Sequence, residues 1–322
     1  MSRTPSPLPP SLTTPVFTFA EAIAAGVPKA RLLRGDIARI APGVHRVAGR
    51  PVAEKDVAAA LCRAHPDAVV AGISAGRLWD VPLPRDLASW APGDPIHLIQ
   101  PGVRRRSTRT VSWRAGTLGD HEWRTGADGL RVTRAPRTFA DLGSALELDD
   151  LVAVCDGLVR VPRGGLAGRF TPWATLDALT SAVAAHRGRG ARVLREALAL
   201  VRVGSDSPAE TRLRLALVRA GLPEPLANVP AAESGTALGV PDLHWPEWRV
   251  CLEHEGPHHL RPAQLARDIA RAERRHRHGW IEVRTTSADL RDGCARAVAR
   301  TREALLRQGW RPGGVRDATR SP

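Results

Sequence analysis

The spacing of apolar and polar positions predicts two short helices close to the N-terminus. Thr18 and Glu21 have the Thr-x-x-Glu spacing of a capping box, so a helix should begin at Phe19. Gly26 can adopt the left-handed conformation that ends a helix, and Pro28 suits the first position of a second one. Two short helices joined by such a tight turn indicate a helix-turn-helix.

A hairpin is predicted directly after the helix pair. The segments 37–40 and 44–47 are predicted strands, and Pro42-Gly43 between them fits the centre of a type II turn. Helices followed by a hairpin form a winged helix, whose second helix enters the major groove while the hairpin contacts the DNA backbone. A small helical cap, or a winged helix that contacts only protein, gives the same pattern. The basic side chains expected to contact DNA are Lys29, Arg31, Arg34, Arg39 and Arg46, beside a buried Ala30 and Leu33.

The middle of the chain alternates between helical and strand patterns. An Ala-rich helix is predicted at 54–64, and strands are predicted at 96–99 and 110–113. Arg104-Arg105-Arg106 lies between these two strands, and we expect it at the tip of a hairpin. The triplet is either a phosphate contact or part of a solvated loop.

The last third of the chain predicts the element order α-β-β-β-α-β-α. Ser207, Pro208 and Glu210 give three signals for a helix start: a serine N-cap, proline at the first position and glutamate at the third. Three strands, a long helix that ends at Gly279, a further strand and a final helix follow. The Pro- and Gly-rich segment 161–175 predicts a linker ahead of this region.

Two acidic residues in this region occupy positions that favour a metal ion. Asp242 lies within a predicted strand, and Glu253 lies on the next strand after a tight turn. Folding that turn brings the carboxylates side by side, where like charges repel, so one of them should have a raised pKa. Mg²⁺ resolves this repulsion, because it prefers one or two protein carboxylates together with water and phosphate oxygens. Glu210 is either a further member of this acidic cluster or only the capping residue of its helix.

The composition favours one class of partner and excludes several classes of protein. The chain has 322 residues, 43% of them hydrophobic and 25% charged, which excludes general disorder. The net charge of +14 favours a polyanionic partner such as nucleic acid, although a merely basic protein would share it. No apolar run reaches the roughly 18 residues of a membrane span, and no secretory signal is visible. The four cysteines are far apart and form no disulfide or zinc pattern, so a cytoplasmic setting is expected.

The N-terminal motifs resemble those of a known family. The stretch from Thr18 to Val47 is similar to the N-terminal winged helix of the AbiEi-like antitoxin and transcriptional-regulator family. The segment 71–79 resembles the small-residue helix that leads into a Leu-Trp pair in that family. The segment 132–142 resembles its Thr-x-x-x-Arg-Thr-x-x-Asp-Leu motif. The resemblance implies a DNA-binding regulator with a toxin protein as a second partner.

The acidic motifs resemble the PD-(D/E)XK nuclease fold, and within it the domain of very-short-patch-repair (Vsr-like) endonucleases. The residues that carry the resemblance are Glu210, Pro241-Asp242, Glu253-His254-Glu255-Gly256, His258-His259, Asp268, Arg271 and Gly279-Trp280. The resemblance implies a site for Mg²⁺ or Mn²⁺ at Asp242 and Glu253, completed by Glu210. It also implies that Glu255 and His259 lie beside the scissile phosphate. Glu255 departs from the pattern, because it stands where the superfamily has lysine and this branch has aspartate.

These predictions define a chain of the α/β class, more narrowly an α+β multidomain protein. A winged helix, a mixed α/β middle region and a restriction-endonuclease-like core are expected. The predicted divisions are a tail at 1–16, a winged helix at 17–50, an α/β region at 51–160, a linker and helix at 161–204, a nuclease-like domain at 205–312 and a tail at 313–322. The predicted function is metal-dependent DNA hydrolysis. The alternative is an AbiEi-like regulator or antitoxin whose nuclease-like domain is inert.

Overall fold

The computed structural model describes residues 6–12, 14–162, 170–256 and 262–313, with side chains left undescribed at 262–265. The described helices are α1 (Phe19–Ala24), α2 (Glu54–Ala64), α3 (Gly72–Leu78), α4 (Arg85–Ala88), α5 (Ala135–Leu142), α6 (Leu148–Val159), α7 (Leu176–Ala185), α8 (Ala191–Leu200), α9 (Pro208–Arg219), α10 (Pro262–Arg277) and α11 (Ala295–Arg307). The described strands are β1 (Val16–Thr18), β2 (Ile37–Ala41), β3 (Val44–Val47), β4 (Val69–Val70), β5 (Ile96–Ile99), β6 (Val111–Arg114), β7 (Trp123–Thr125), β8 (Arg131–Thr133), β9 (Leu226–Ala227), β10 (Ala231–Glu233), β11 (Thr236–Gly239), β12 (Leu243–Trp245), β13 (Val250–Glu255) and β14 (Ile281–Thr286). This mixture of helices and several sheets confirms the predicted α+β class.

The described residues divide into two compact units. The first contains those up to Leu146 together with Ala174–Leu194. The second contains Glu147–Trp173 and the residues from Arg195 onward. This division differs from the linear boundaries expected from the sequence, because α7 belongs to the first unit although α6, which precedes it, belongs to the second. The expected linker is only partly visible, since 163–169 lies outside the described residues.

The capped helix near the N-terminus forms as its motif predicts. The Thr18 hydroxyl accepts the Glu21 backbone N–H at 3.1 Å, and the Glu21 carboxylate accepts the Thr18 N–H at 2.7 Å. Gly26 has φ +78°, so the helix ends in the left-handed conformation that glycine adopts without strain. The predicted hairpin forms as well, and β3 pairs antiparallel with both β1 and β2.

The second helix differs from its prediction in type and in register. It is a five-residue 3-10 turn, Lys29–Leu33, rather than an α-helix of two turns. Leu32 is 6% exposed and packs into the local core, whereas Leu33 is 87% exposed. The expectation of a buried Ala30 and Leu33 was therefore wrong. A 3-10 turn has about three residues per turn instead of 3.6, which changes the face that meets the core.

A five-stranded sheet of order β6-β5-β4-β8-β7 follows in the first unit. Strands β5 and β6 run parallel, with Ile96 opposite Val111, so the hairpin expected between them was wrong. Parallel neighbours cannot be joined by a tight turn, because the second strand must start at the same end of the sheet as the first. The connection therefore runs back beside edge strand β6, where the Trp113 N–H donates to the Ser107 hydroxyl at 2.9 Å.

The second unit is built on a four-stranded sheet of order β14-β13-β12-β9. Strand β12 is antiparallel to β9 and β13, and β13 is parallel to β14. Helix α10 connects the parallel pair, as parallel neighbours require. The predicted order of the main elements is confirmed, and a separate hairpin of β10 and β11 was not predicted. One core cluster contains residues of α9, the sheet and α11, among them Leu213, Trp245, Leu252 and Leu305.

A buried ion pair fixes α6 to α9 within the second unit. The Arg214 guanidinium lies 3.2 Å from the Asp156 carboxylate, and both side chains are almost fully buried. Asp156 also accepts the Thr211 hydroxyl at 2.8 Å and the Arg202 backbone N–H at 2.8 Å. Burial raises the pKa of Asp156, and the positive charge of Arg214 opposes that rise. These contacts explain why α6 belongs to the second unit.

Replacing Arg214 by alanine should destabilise the protein strongly, by about 3–5 kcal/mol, because it leaves the Asp156 carboxylate buried without its counter-charge. Urea unfolding followed by circular dichroism measures the loss. The matched control is Arg219→Ala on the same helix, whose ion pair with Asp149 is exposed and should contribute about 0–1 kcal/mol. Equal losses in the two variants would contradict the structural role of the buried pair.

Candidate functional site

The two predicted metal ligands lie close together at one end of two antiparallel strands. Asp242 directly precedes β12 instead of lying within a strand as the sequence suggested, Leu243 beside it pairs with Leu252, and Glu253 follows Leu252 on β13. The charge of Asp242 is close enough to act on the Glu253 carboxyl. Alternation along β13 puts Glu253 on the sheet face opposite to Leu252, which lies in the core formed with α9 and α11. The Asp242 carboxylate accepts the His254 backbone N–H at 2.7 Å, which fixes it at the end of the strand pair.

The Glu253 carboxylate contacts a buried arginine. Arg275 of α10 is 0% exposed, and its Nη1 lies 2.6 Å from Glu253 Oε1 and 2.7 Å from Glu282 Oε2. Burial raises the pKa of Glu253, the negative charge of Asp242 raises it further, and Arg275 opposes both effects. The sequence-based expectation that one carboxylate of the pair has a raised pKa therefore agrees with the geometry at Glu253.

Strand β11 contacts two arginines of α10. Gly239 at the end of β11 has φ +86°, and a Cβ atom there would lie 2.7 Å from Cδ of Arg271 and 3.7 Å, an ordinary contact distance, from Nη2 of Arg275. Arg275 Nε donates to the Leu238 carbonyl at 3.0 Å, which holds the guanidinium against β11. In an arginine-rich helix such as α10, with Arg271, Arg274, Arg275 and Arg277, the side chains can track a DNA backbone or lie on a solvated face. For Arg275 both interpretations were wrong, because its side chain is buried among carboxylates.

Among the side chains that the structure describes, negative charge exceeds positive charge on this face of the sheet. Arg284, which stands beside Glu253 in the parallel register, lies 2.8 Å from Glu282 and 3.4 Å from Glu255. With Asp242 and Glu253 this gives four described carboxylates against the guanidinium groups of Arg275 and Arg284. Arg271 is also close enough to lower the pKa of Glu253, but it is paired with Asp268 at 2.9 Å. The surplus of negative charge favours the binding of a cation.

Glu210 is joined to this site through one residue. Asn228 donates its side-chain amide to Glu210 Oε2 at 2.6 Å and its backbone N–H to the Asp242 carbonyl at 3.0 Å. Glu210 also accepts the Asp206 N–H and the Ser207 hydroxyl, both at 2.8 Å. Burial raises the pKa of Glu210, while these hydrogen bonds oppose the rise. Its geometry shows the capping role at the start of α9 and places it beside the strand that carries Asp242.

The chemistry of the site fits Mg²⁺ or Mn²⁺ in part. Mg²⁺ uses one or two protein carboxylates and completes its shell with water and phosphate oxygens, which matches Asp242 and Glu253. Each ionised carboxylate has about four lone-pair positions, so a carboxylate that accepts a hydrogen bond can still bind a metal ion. Among the residues that the structure describes, no three of His, Cys, Asp and Glu are arranged to hold a metal ion. A site here would therefore depend on water and substrate for most of its ligands.

Two of the remaining candidates lie on or after β13. Glu255 is exposed at the end of the strand, beside Arg284. His259 and its neighbour His258 lie outside the described residues. His254, on the opposite face to Glu253, has its Nδ1 3.1 Å from the Thr285 hydroxyl, and burial lowers its pKa.

The basic residues predicted to contact DNA have different surroundings. Arg34 and Arg39 are exposed, and Arg46 is half-buried. Lys29 is exposed and lies over the Phe19 ring at 5.9 Å. Arg31 is tied down, because its guanidinium pairs with Asp36 at 2.7 Å and also donates to the Ser6 carbonyl. Arg31 therefore has a structural partner, whereas Arg34 and Arg39 present their charge to solvent.

Comparison with known proteins gives relatives without an assigned activity. No family model matches the chain. Two uncharacterized proteins of Mycobacterium tuberculosis, from strains CDC 1551 / Oshkosh and ATCC 25618 / H37Rv, are each 29% identical over 227 residues. The match covers 66% of this chain and 74% of each relative. In the described part of the chain, no helix is long and apolar enough to cross a membrane.

The raised pKa of Glu253 predicts a pH dependence of stability. A carboxyl whose folded pKa exceeds its ordinary value of 4.5 holds its proton longer in the folded state than in the unfolded state. The stabilisation that this carboxyl adds to the folded state is therefore complete below pH 4.5. It is lost as the pH rises through the folded pKa. The free energy of unfolding of wild type, relative to Glu253→Gln, should fall over that interval and then level off.

Urea unfolding at a series of pH values from 4 to 8, with EDTA present, measures this difference. The control is Glu303→Gln, which removes an exposed carboxylate from α11. A wild-type advantage over Glu253→Gln that grows as the pH rises would contradict the direction of the pKa shift at Glu253.

Proposed function

We propose that this protein binds DNA and hydrolyses phosphodiester bonds at a metal-dependent site in its second unit. The observation that carries the proposal is the closeness of Asp242 and Glu253, on a sheet face where the described carboxylates outnumber the described guanidinium groups. Neighbouring carboxylates are unfavourable without a cation, and Mg²⁺ with a phosphate ligand supplies one. The resemblance of the acidic motifs to Vsr-like nucleases supports the same interpretation.

In this proposal each residue has a stated task. Asp242 and Glu253 hold Mg²⁺ or Mn²⁺, which when bound would stabilise charge on the phosphodiester and activate water. Glu210 fixes Asn228 and thereby the strand edge beside Asp242. Glu255, exposed at the end of β13, and His259 would lie beside the phosphate. Arg284 holds Glu255 toward this end of the sheet.

DNA binding is assigned to the first unit in this proposal. The capped helix, the 3-10 turn and the hairpin follow the order of a winged helix, with Arg34 after the turn and Arg39 on the hairpin. Both side chains are exposed and can replace counterions on DNA phosphates. The short 3-10 turn offers fewer groove contacts than a full recognition helix, so we infer that phosphate contacts dominate the affinity.

The pairing of Arg275 with Glu253 favours a second candidate function. A buried guanidinium 2.6 Å from Glu253 already supplies positive charge to the site. If that charge satisfies the carboxylates permanently, the second unit is an inert nuclease-like fold. The protein would then act as an AbiEi-like regulator or antitoxin, with DNA and a toxin as partners.

Cleavage of DNA should require both of these carboxylates, Asp242 and Glu253. Wild type should cut plasmid or mismatched duplex DNA in Mg²⁺ or Mn²⁺, and Asp242→Asn and Glu253→Gln should each lower the rate by about 100-fold or more. The assay is conversion of supercoiled plasmid on gels, together with a labelled mismatched duplex. Glu303→Gln is the control for loss of a distant exposed carboxylate and should cut as wild type does.

Metal-dependent stability separates the two candidate functions. A cation that binds only the folded protein raises its melting temperature, so Mg²⁺ should stabilise wild type relative to EDTA, and Asp242→Asn should lose most of that shift. Thermal melts in EDTA and in excess Mg²⁺ or Mn²⁺ measure it. No shift in wild type, combined with no cleavage, would reject the nuclease proposal and leave the inert-domain function.

The exposed arginines of the winged helix should set the salt dependence of DNA binding. Arg34→Ala combined with Arg39→Ala should weaken duplex binding and reduce the slope of log affinity against log salt by about 0.9 for each DNA phosphate that the variant no longer neutralises. Fluorescence anisotropy with a labelled duplex at several salt concentrations measures both. Arg85→Ala, which removes an exposed charge from α4, is the matched control. An unchanged slope in the double variant would place the DNA-binding surface elsewhere.

A further inference from the structure

A cavity of about 400 Å³ lies in the first unit, between the turn of the β2–β3 hairpin and the edge of the five-stranded sheet. Pockets that hold small ligands typically measure about 300–1,000 Å³, so this one can take a compact organic molecule. Its lining includes three polar residues, Arg105, Arg106 and Thr108, together with Trp113, His65 and Leu61. Neither the proposed DNA-binding surface nor the acidic site uses these residues.

The topology of the sheet explains why arginines and an aromatic ring meet here. Because β5 and β6 are parallel, the connecting loop must return to the end of the sheet where β5 begins, and in this structure it does so beside β6. Two hydrogen bonds fasten it there: Thr108 N–H to the Val111 carbonyl at 2.8 Å, and Trp113 N–H to the Ser107 hydroxyl at 2.9 Å. The Arg105-Arg106 pair is thereby held at the cavity rather than free at a hairpin tip.

Arg105 is held by uncharged neighbours, which do not offset its positive charge. Its guanidinium lies over the Trp113 ring, 5.1 Å from the centroid, and its Nε donates to Gln100 Oε1 at 2.5 Å. Gln100 is neutral, and no carboxylate is among the residues that line the cavity in the described chain. Two guanidinium groups without a lining acid attract an anion, and phosphate matches the fork geometry of arginine.

Two rings form an aromatic wall of the cavity. The His65 ring meets Trp113 edge-on with centroids 5.3 Å apart, and Leu61 is also part of the lining. Burial and the charge of Arg105 both lower the pKa of His65, which disfavours its charged form. Rings and guanidinium planes of this kind are the surfaces on which nucleobases stack.

We propose that this cavity binds one nucleotide, with its phosphate on Arg105, Arg106 and Thr108 and its base against the Trp113 and His65 wall. The volume suits one nucleotide, the guanidinium groups suit the phosphate and the aromatic wall suits the base. The nucleotide is either free or part of a single strand, since both present the same phosphate and base. The proposal does not rest on the nuclease function, because the cavity belongs to the first unit and uses no metal.

The test measures binding of fluorescently labelled AMP to the full-length protein, with EDTA present, by fluorescence anisotropy. Arg106→Ala should weaken binding by about tenfold or more, as expected for the loss of a charged hydrogen-bonding partner. The matched control is Arg104→Ala, which removes the same charge from the same loop at a position outside the cavity lining. Equal weakening in the two variants, or no binding by wild type, would overturn the proposal.

Competition experiments show which parts of the nucleotide bind and whether the nucleotide is free or part of a single strand. Unlabelled AMP should compete better than ribose 5-phosphate, which lacks the base, and better than adenosine, which lacks the phosphate. Equal competition by ribose 5-phosphate and AMP would overturn the assignment of the aromatic wall. A short 5′-phosphorylated oligodeoxythymidine that competes better than dTMP points to a strand, and equal competition points to a free nucleotide. Both results support the proposal, and Arg85→Ala, which removes an exposed charge from α4, should leave AMP binding unchanged.

Discussion

Two carboxylates that lie close together at one end of paired strands must be neutralised, and the arrangement of the second unit around Asp242 and Glu253 follows from that requirement. The parallel strand β14 brings Glu282 and Arg284 alongside, and α10 places Arg275 over the pair. The Leu238 carbonyl accepts a hydrogen bond from Arg275 and holds the guanidinium there. The crossover helix and the buried guanidinium therefore serve one electrostatic purpose, which is to keep a carboxylate-rich sheet face folded.

The same guanidinium determines what the acidic face can do. Arg275 contacts both Glu253 and Glu282, and Arg284 contacts both Glu282 and Glu255, so each positive charge is shared between two carboxylates. A cation that arrives with a phosphate ligand would reduce the remaining repulsion. Without such a cation the two guanidinium groups remain the counter-charges, and burial together with the charge of Asp242 raises the pKa of Glu253. Activity and inertness thus differ in how the surplus charge is balanced, and the fold is the same in both.

Local signals were predictable from the sequence, whereas contacts between distant segments were not. The Thr18–Glu21 capping box and the closeness of Asp242 to Glu253 depend on neighbours within a few residues or across one tight turn. The parallel pairing of β5 and β6 and the burial of Arg275 depend on which strands and helices meet in space. An arginine on a helix looks the same in sequence whether it faces DNA, solvent or a buried glutamate.

The net charge of +14 therefore overstates the charge available to a nucleic acid. Several arginines are committed to internal carboxylates: Arg31 to Asp36, Arg77 to Glu54, Arg137 to Asp141 and Glu122, Arg214 to Asp156, and Arg275 to Glu253. Such pairs are fixed whether or not a polyanion is present, and they release no counterions on binding. The charges available to a nucleic acid are those of surface arginines that have no carboxylate beside them. In the first unit the parallel-strand loop supplies these at Arg105 and Arg106 through backbone geometry, so a topological constraint of the sheet produces a cationic surface that composition alone could not locate.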